Sequence, residues 1–244
     1  MSDLGKFIGV GVGPGPAGLI PVAALEALRQ VDRIYLPRAR GSASSVAGQC
    51  LAGLNLDPDK FHEIEFVMDP DRSLLSRHYG ELAATLARDL RAGLNIAYLT
   101  IGDSMTYSTY GYLLAALRAL EPTLDAVTFP GVTSFAASAA ALSWPLGEGK
   151  ERILILPCPD DMTQLEADIV SHDIVVLMKI GQRLPAVLQL LRRLGIDEHC
   201  AFARRIGLPG EVLCADVSQL EAESASGYLA TLLIRREPRE QRHV

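Results

Sequence analysis

The sequence predicts an α/β protein of two domains, a parallel sheet with helices on both faces followed by a mixed α/β domain. Three observations predict it. Short apolar runs alternate with helical spacing through the first half, as in a parallel sheet covered on both faces. A glycine-punctuated turn follows the first of those runs, and the alternation gives way to closely spaced short strands after Glu121-Pro122. The domain boundary is expected near Leu120, giving segments 1–120 and 121–244.

Lys6 to Val12 reads as a buried strand, and Ala23 to Val31 carries the helical spacing of Leu25, Leu28 and Val31. Arg33 to Pro37 forms a second short strand, and Arg38 to Ser45 is a small, polar loop leading into another helix. Leu74 to Ala92 is helical, Leu94 to Ile101 is the next buried strand, and Tyr110 to Leu120 is again a helix. In the second half, strands are expected at Ala126 to Phe129, Ile153 to Leu156, Ile174 to Ile180, Cys200 to Ile206 and Tyr228 to Arg235, separated by two well-marked helices. The charged tail REPREQRHV is expected to fray.

With 244 residues, about half of them apolar, and a formal charge of −6, the chain has the profile of a soluble globular protein. The acidic balance argues against a nucleic-acid backbone as partner. The four cysteines form no CxxC pair, the five histidines show no HxxxH spacing, and no metal site is signalled. No apolar stretch reaches membrane-spanning length and the N-terminus lacks signal-peptide features, so a cytoplasmic location is expected.

Three segments carry chemistry. The first, Gly9 to Gly18 (GVGVGPGPAG), lets the backbone approach a ligand or the next helix closely. Gly13, Gly15 and Gly18 satisfy GxGxxG, yet Pro14 and Pro16 each remove an N–H that a pyrophosphate would need. Pro37 and Arg38 also stand where a dinucleotide fold places an acid, which disfavours a dehydrogenase. The second segment, Thr100 to Thr109 (TIGDSMTYST), lies at the C-terminal edge of a strand, where open α/β sheets bind ligands. Asp103 is placed there either to accept hydrogen bonds from a ligand or to cap the helix beginning near Tyr110. The third, Phe129 to Ala137 (FPGVTSFAA), is a strand end, a Pro-Gly turn and a helix of small residues.

The ordered set GVGPG, GDSMTYST, PGVTSFAA and VLMK (Val176 to Lys179) resembles the tetrapyrrole methylase family over essentially the whole chain. The YST after Gly-Asp, the VLMK segment and a C-terminal Tyr228-Leu-Ala-Thr231-Leu-Leu strand look most like the branch that methylates carbon 20 of precorrin-2 or cobalt-precorrin-2 in cobalamin biosynthesis. The resemblance implies a homodimer of two-domain subunits that binds S-adenosyl-L-methionine in the cleft between the domains, mainly through backbone atoms. By position, Pro14, Ile101, Gly102, Asp103, Thr106, Thr133, Ser134 and Met178 line the cofactor pocket, with Thr109, Ile206, Ala230 and Thr231 as further members. A precorrin is an anionic tetrapyrrole with eight carboxylates, so cations should flank its cleft. Arg38 and Arg40 are candidates, either as substrate contacts or as solvated loop charges, Tyr107 is a further one, and Lys179, Arg183, Arg204 and Arg205 rank behind them. No residue is assigned as a base, because the electron-rich meso carbon can attack the methyl directly and lose its proton afterwards, so that alignment of donor and acceptor is the main requirement. The chain departs from the family at Pro16 and Ile20-Pro21, where an acid and Leu-Thr are usual, and at Ser104, where proline is usual. Alternatives are a methylase acting on another corrin carbon or on uroporphyrinogen, and a non-catalytic cofactor-binding relative.

Overall fold

The computed structural model describes residues 4–66, 72–220 and 226–238. The chain divides into two compact units, Met1–Thr133 and Ser134–Val244.

Among the described residues the first unit holds five strands, β1 (Phe7–Gly11), β2 (Arg33–Ala39), β3 (Phe61–Phe66), β4 (Ile96–Thr100) and β5 (Ala126–Phe129). They form one sheet in the order β3-β2-β4-β1-β5, parallel at every pairing. Its helices are α1 (Val22–Gln30), α2 (Val46–Gln49), α3 (Arg72–Arg91) and α4 (Tyr110–Leu120). Because β5 extends the sheet beside β1, the division falls after Thr133, beyond the boundary expected near Leu120.

Local sequence explains these elements. Strand β4 (IAYLT) is buried at all five positions, as a central strand covered on both faces requires. Strand β3 (FHEIEF), at the sheet edge, keeps only partly covered apolar positions between its glutamates. It is absent from the sequence reading, as is the second unit's three-residue strand at Val212–Cys214. On α3, Tyr79, Leu82, Leu86 and Leu90 recur at helical spacing and pack with Leu113 and Leu117 of α4 against Phe7, Ile96 and Tyr98 of the sheet. Arg33 donates to both oxygens of Asp89 at 2.8 and 2.7 Å, and the Tyr35 hydroxyl donates to Asp89 at 2.6 Å, fixing β2 to α3.

The second unit contains β6 (Ile153–Pro157), β7 (Ile174–Met178), β8 (Ala201–Arg204), β9 (Val212–Cys214) and β10 (Ala230–Arg235). Their order is β6-β7-β10-β8-β9, with β6 and β7 parallel and the other pairings antiparallel. The unit's described α-helices are α5 (Ser134–Ala141), α6 (Met162–Ser171) and α7 (Leu184–Leu194). Leu165 and Ile169 of α6 and Val187, Leu188 and Leu191 of α7 cover Val175, Leu177, Phe202, Leu232 and Ile234. Ala139 of α5 packs with Val176, Ala201 and Leu233, the alternate residues of the same strands and so the opposite face. The charged tail begins docked, since Arg236 donates to the Val170 carbonyl at 2.8 Å; residues 239–244 lie outside the described ones.

The hydroxyls of Tyr79 and Tyr98 are buried, and Thr109 faces both without completing a hydrogen bond to either. A buried hydroxyl without a partner costs stability that its removal returns. Tyr98→Phe is therefore expected to leave chemical-denaturation stability unchanged or raise it by up to about 1 kcal/mol. A loss of that size would show that the hydroxyl is satisfied in solution.

Candidate active site

Strands β1 and β4 are neighbours, but the chain leaving β1 runs to β2 on the far side of β4, and the chain leaving β4 runs to β5 on the far side of β1. Their connections diverge, and such a switch point opens a crevice at the carboxyl ends of the two strands. Val12 donates to the Thr100 carbonyl at 2.9 Å, and Gly13 and Gly102 exchange backbone bonds of 3.1 and 2.8 Å. Both glycines are left-handed, with φ of 78° and 72°, which admits this short antiparallel bridge at the end of a parallel ladder.

The turn after β5 closes onto the same place. A Cβ on Gly11 would stand 2.5 Å from the Gly131 nitrogen and 2.8 Å from the Gly102 carbonyl oxygen. A Cβ on Gly131 would collide with the Gly102 carbonyl and with the Gly11 backbone. Three strand ends thus meet peptide against peptide, leaving a surface built of backbone atoms.

Asp103 ties this surface together. Its Oδ1 accepts from the Met105 and Thr106 amides at 3.0 and 2.8 Å and from the Thr106 hydroxyl at 2.8 Å. Its Oδ2 accepts from the Gly131 amide at 3.0 Å, which joins the β4 loop to the β5 turn. Partial burial works against the charge, but the donors from Gly131, Thr106 and Met105 outweigh it and hold the carboxyl below its ordinary range. Of the roughly four lone-pair positions of a carboxylate, the remaining capacity lies on Oδ2. Ser104, where the family usually has proline, is fully buried and donates to the Phe129 carbonyl at 3.0 Å, a second tie between the same two loops.

The departures in the glycine loop cause no strain. Pro16 (φ −66°) precedes a 3-10 turn at Ala17–Leu19, and Pro21 (φ −60°) precedes α1, both at proline's own dihedral. Neither position asks for an amide hydrogen. The other expected residues of this unit lie on the same loops: Pro14 is buried beside Gly13, Ile101 precedes Gly102, Thr109 precedes α4 and Thr133 follows the Gly131 turn. Tyr107 is exposed and left-handed at φ 50°, an uncommon conformation for an aromatic residue.

Arg38 and Arg40 prove to be paired. Arg38 meets Glu63 at 3.0 Å and Glu65 at 3.9 Å and donates to the Ser42 carbonyl at 2.9 Å, while Arg40 meets Glu65 at 3.3 Å. Strand β3 supplies both acids, so these arginines balance the sheet edge rather than stand as open cations.

In the second unit, Thr231 sits opposite Met178 across β10 and β7, and its hydroxyl donates to the Ser134 hydroxyl at 3.1 Å. Ser134, Met178 and Thr231 are therefore brought together, with Ala230 beside them and Ile206 just past β8. Lys179, Arg205 and Leu229 are all left-handed, with φ of 53°, 49° and 52°. They stand where β7 and β8 end and β10 begins, a clustering of strained residues typical of ligand-holding edges. Sequence reasoning ranks Lys179 and Arg205 among its weaker substrate candidates but misses their shared backbone conformation with Leu229, which no local signal marks, and misses the interlock of Gly11 with Gly131.

A family model described as tetrapyrrole (corrin/porphyrin) methylases matches residues 6–221. The chain belongs to this family. Among the tetrapyrrole methylases it is 29% identical over 233 residues to the cobalt-precorrin-2 C(20)-methyltransferase of Salmonella typhimurium, covering 96% of this chain and 97% of that one. It is 30% identical over 232 residues to a probable cobalt-precorrin-2 C(20)-methyltransferase of Methanocaldococcus jannaschii, covering 95% and 96%. The fold matches a cobalt precorrin-4 methyltransferase structure with a TM-score of 0.70 at 19% identity, covering 96% of each chain. It also matches a uroporphyrin-III C-methyl transferase from Thermus thermophilus complexed with S-adenyl homocysteine, with a TM-score of 0.63 at 21% identity and coverage of 95% and 97%.

Proposed function

We propose that this tetrapyrrole methylase transfers a methyl group from S-adenosyl-L-methionine to carbon 20 of precorrin-2 or cobalt-precorrin-2. The observation that carries the acceptor is the near full-length similarity, at 29% and 30% identity, to two relatives with that named activity. The backbone-built surface at the β1/β4 switch point supports the donor, because it suits a ligand held through peptide groups with one carboxylate nearby. Pro14, Ile101, Gly102, Asp103, Thr106, Thr109 and Thr133 of the first unit and Ser134, Met178, Ile206, Ala230 and Thr231 of the second are the residues assigned to the donor. Met178 and Thr231 fit that assignment through their shared register, and Ser134 through its bond to Thr231.

The bound donor supplies an electrophilic methyl on a sulfonium. The protein has to align it with the acceptor carbon at near-attack distance and keep water out. Asp103, charged across the physiological range, contributes a fixed negative potential beside the donor's cationic groups. A homodimer acting in the cytoplasm completes this reading, and sedimentation equilibrium tests the dimer. No described helix is long and apolar enough to cross a membrane.

Calorimetric titration with S-adenosylmethionine and S-adenosylhomocysteine, with NADH as control, is expected to give micromolar binding of the first two alone. Anaerobic incubation with methyl-labelled donor and precorrin-2, with and without cobalt, is expected to label C20. Label on another carbon would reassign the acceptor, and absence of donor binding would remove the activity.

A further inference from the structure

Three cations of the described residues stand together at one edge of the second sheet. Lys179 follows Met178 at the end of β7, and Arg204 and Arg205 close β8. Strand β10 lies between them, with Ala230 opposite Arg204, so the cations flank the start of β10 with backbones roughly 10 Å apart. Among the described residues none of the three forms an ion pair. Arg205 Nε donates to the Pro209 carbonyl at 2.7 Å, and Arg204 reaches the Gly210 carbonyl only at 3.4 Å. The Nε of Arg204 is buried and has no partner. Glu211, the acid nearest to Arg205 in sequence, is already bound to the Gly207 amide at 2.7 Å.

A buried guanidinium donor without an acceptor is costly, and three cations gathered at one edge with no ion pair among the described residues stand against the chain's net charge of −6. The backbone adds a second signal. Lys179, Arg205 and the adjoining Leu229 all hold left-handed conformations that are costly for side-chain-bearing residues and persist where the fold fixes them. The Arg205 amide donates to the Leu229 carbonyl at 2.9 Å, and Gly181 pairs with Gly227, so the edge is braced on both sides of β10.

We infer that Lys179, Arg204 and Arg205 form a carboxylate-binding edge that receives an acidic side group of the tetrapyrrole, in place of Arg38 and Arg40. The inference rests on the tetrapyrrole reading above. Guanidinium forks suit carboxylates bidentately, and a lysine across the strand serves a second acid on the rim of a broad ligand. The methyl donor also carries one carboxylate, so the experiment separates the two sources.

The test uses the full chain and a stable octacarboxylate probe, uroporphyrin III, whose binding is followed by fluorescence. Lys179→Gln, Arg204→Gln, Arg205→Gln and the triple variant are compared with wild type, with Arg40→Gln as the competing cation and thermal unfolding as the check on folding. The single Lys179→Gln variant, on an exposed side chain, keeps the test open should the triple variant misfold. The triple variant is expected to weaken uroporphyrin binding at least tenfold and to flatten its salt dependence, with Arg205→Lys partly restoring affinity and S-adenosylhomocysteine binding unchanged. A tenfold loss confined to S-adenosylhomocysteine would assign the edge to the donor's carboxylate instead. Wild-type affinity for both ligands in folded variants, no uroporphyrin binding by the wild type, or a loss confined to Arg40→Gln would overturn the inference. Loss of wild-type donor binding with uroporphyrin binding intact would sink the methyltransferase reading while leaving the edge standing.

Discussion

Gly131→Ala is expected to destabilise the protein by about 3 kcal/mol or more, with the melting temperature falling by about 10 °C. The added methyl would meet only backbone, the Gly102 carbonyl and the Gly11 main chain, and no rotamer change can make room. Relief would require parting β5 from β1, which breaks the parallel ladder holding both loops. Donor affinity should fall with stability, because the Gly102 peptide that the methyl displaces is among those assigned to the ligand. Gly111→Ala provides the comparison: it lies in α4 with nothing within 4 Å of the new methyl, and the better helix former is expected to leave stability equal or slightly higher. Equal melting temperatures for the two variants would refute the close packing of the three strand ends.

Asp103→Ala should cost about 3 kcal/mol and lower donor affinity at least tenfold, read by denaturation and by calorimetry. The sequence alone suggests a carboxylate facing a ligand or capping a helix. The structure shows a carboxylate that accepts four bonds from its own chain, so removal strips the Met105, Thr106 and Gly131 amides of their acceptor. The pH dependence follows from the lowered pKa. The unfolded carboxyl titrates near 3.9, so the folded protein keeps Asp103 charged below that value, and its stabilisation is present above about pH 4. It is lost as pH falls through the folded pKa. The gap in stability between wild type and Asp103→Ala should therefore be constant from neutral pH down to about 4 and narrow below it. A gap that widens on acidification would contradict the assigned bonds.

Much of this architecture was legible in the chain because buried parallel strands advertise themselves. FIGVG, IAYLT and IVVLM are continuous apolar runs, and the glycine loop, the Gly-Asp loop and the Pro-Gly turn stand at strand ends where ligands bind. Strand β3 was not legible, because FHEIEF alternates weakly and gains its identity only from its pairing with β2. That omission also explains Arg38 and Arg40, which look like free cations until β3 brings Glu63 and Glu65 beside them. The bond from Gly131 to Asp103 spans 28 residues, and no local pattern encodes it. The left-handed backbone at Lys179, Arg205 and Leu229 is equally silent, since none of the three is glycine or asparagine.

The place of β1 in its sheet sets an order of events during synthesis. It leaves the ribosome ahead of the other described strands, yet its partners β4 and β5 follow about 90 and about 120 residues later, and both are non-local parallel pairings of the kind that form slowly. Until Phe129 has emerged, β1 lacks one neighbour, and a nascent chain halted before Ala126 exposes an apolar strand edge to other chains. The glycine loop can be present in such an intermediate, but the surface it shares with Gly102 and Gly131 forms only after the whole first unit has closed.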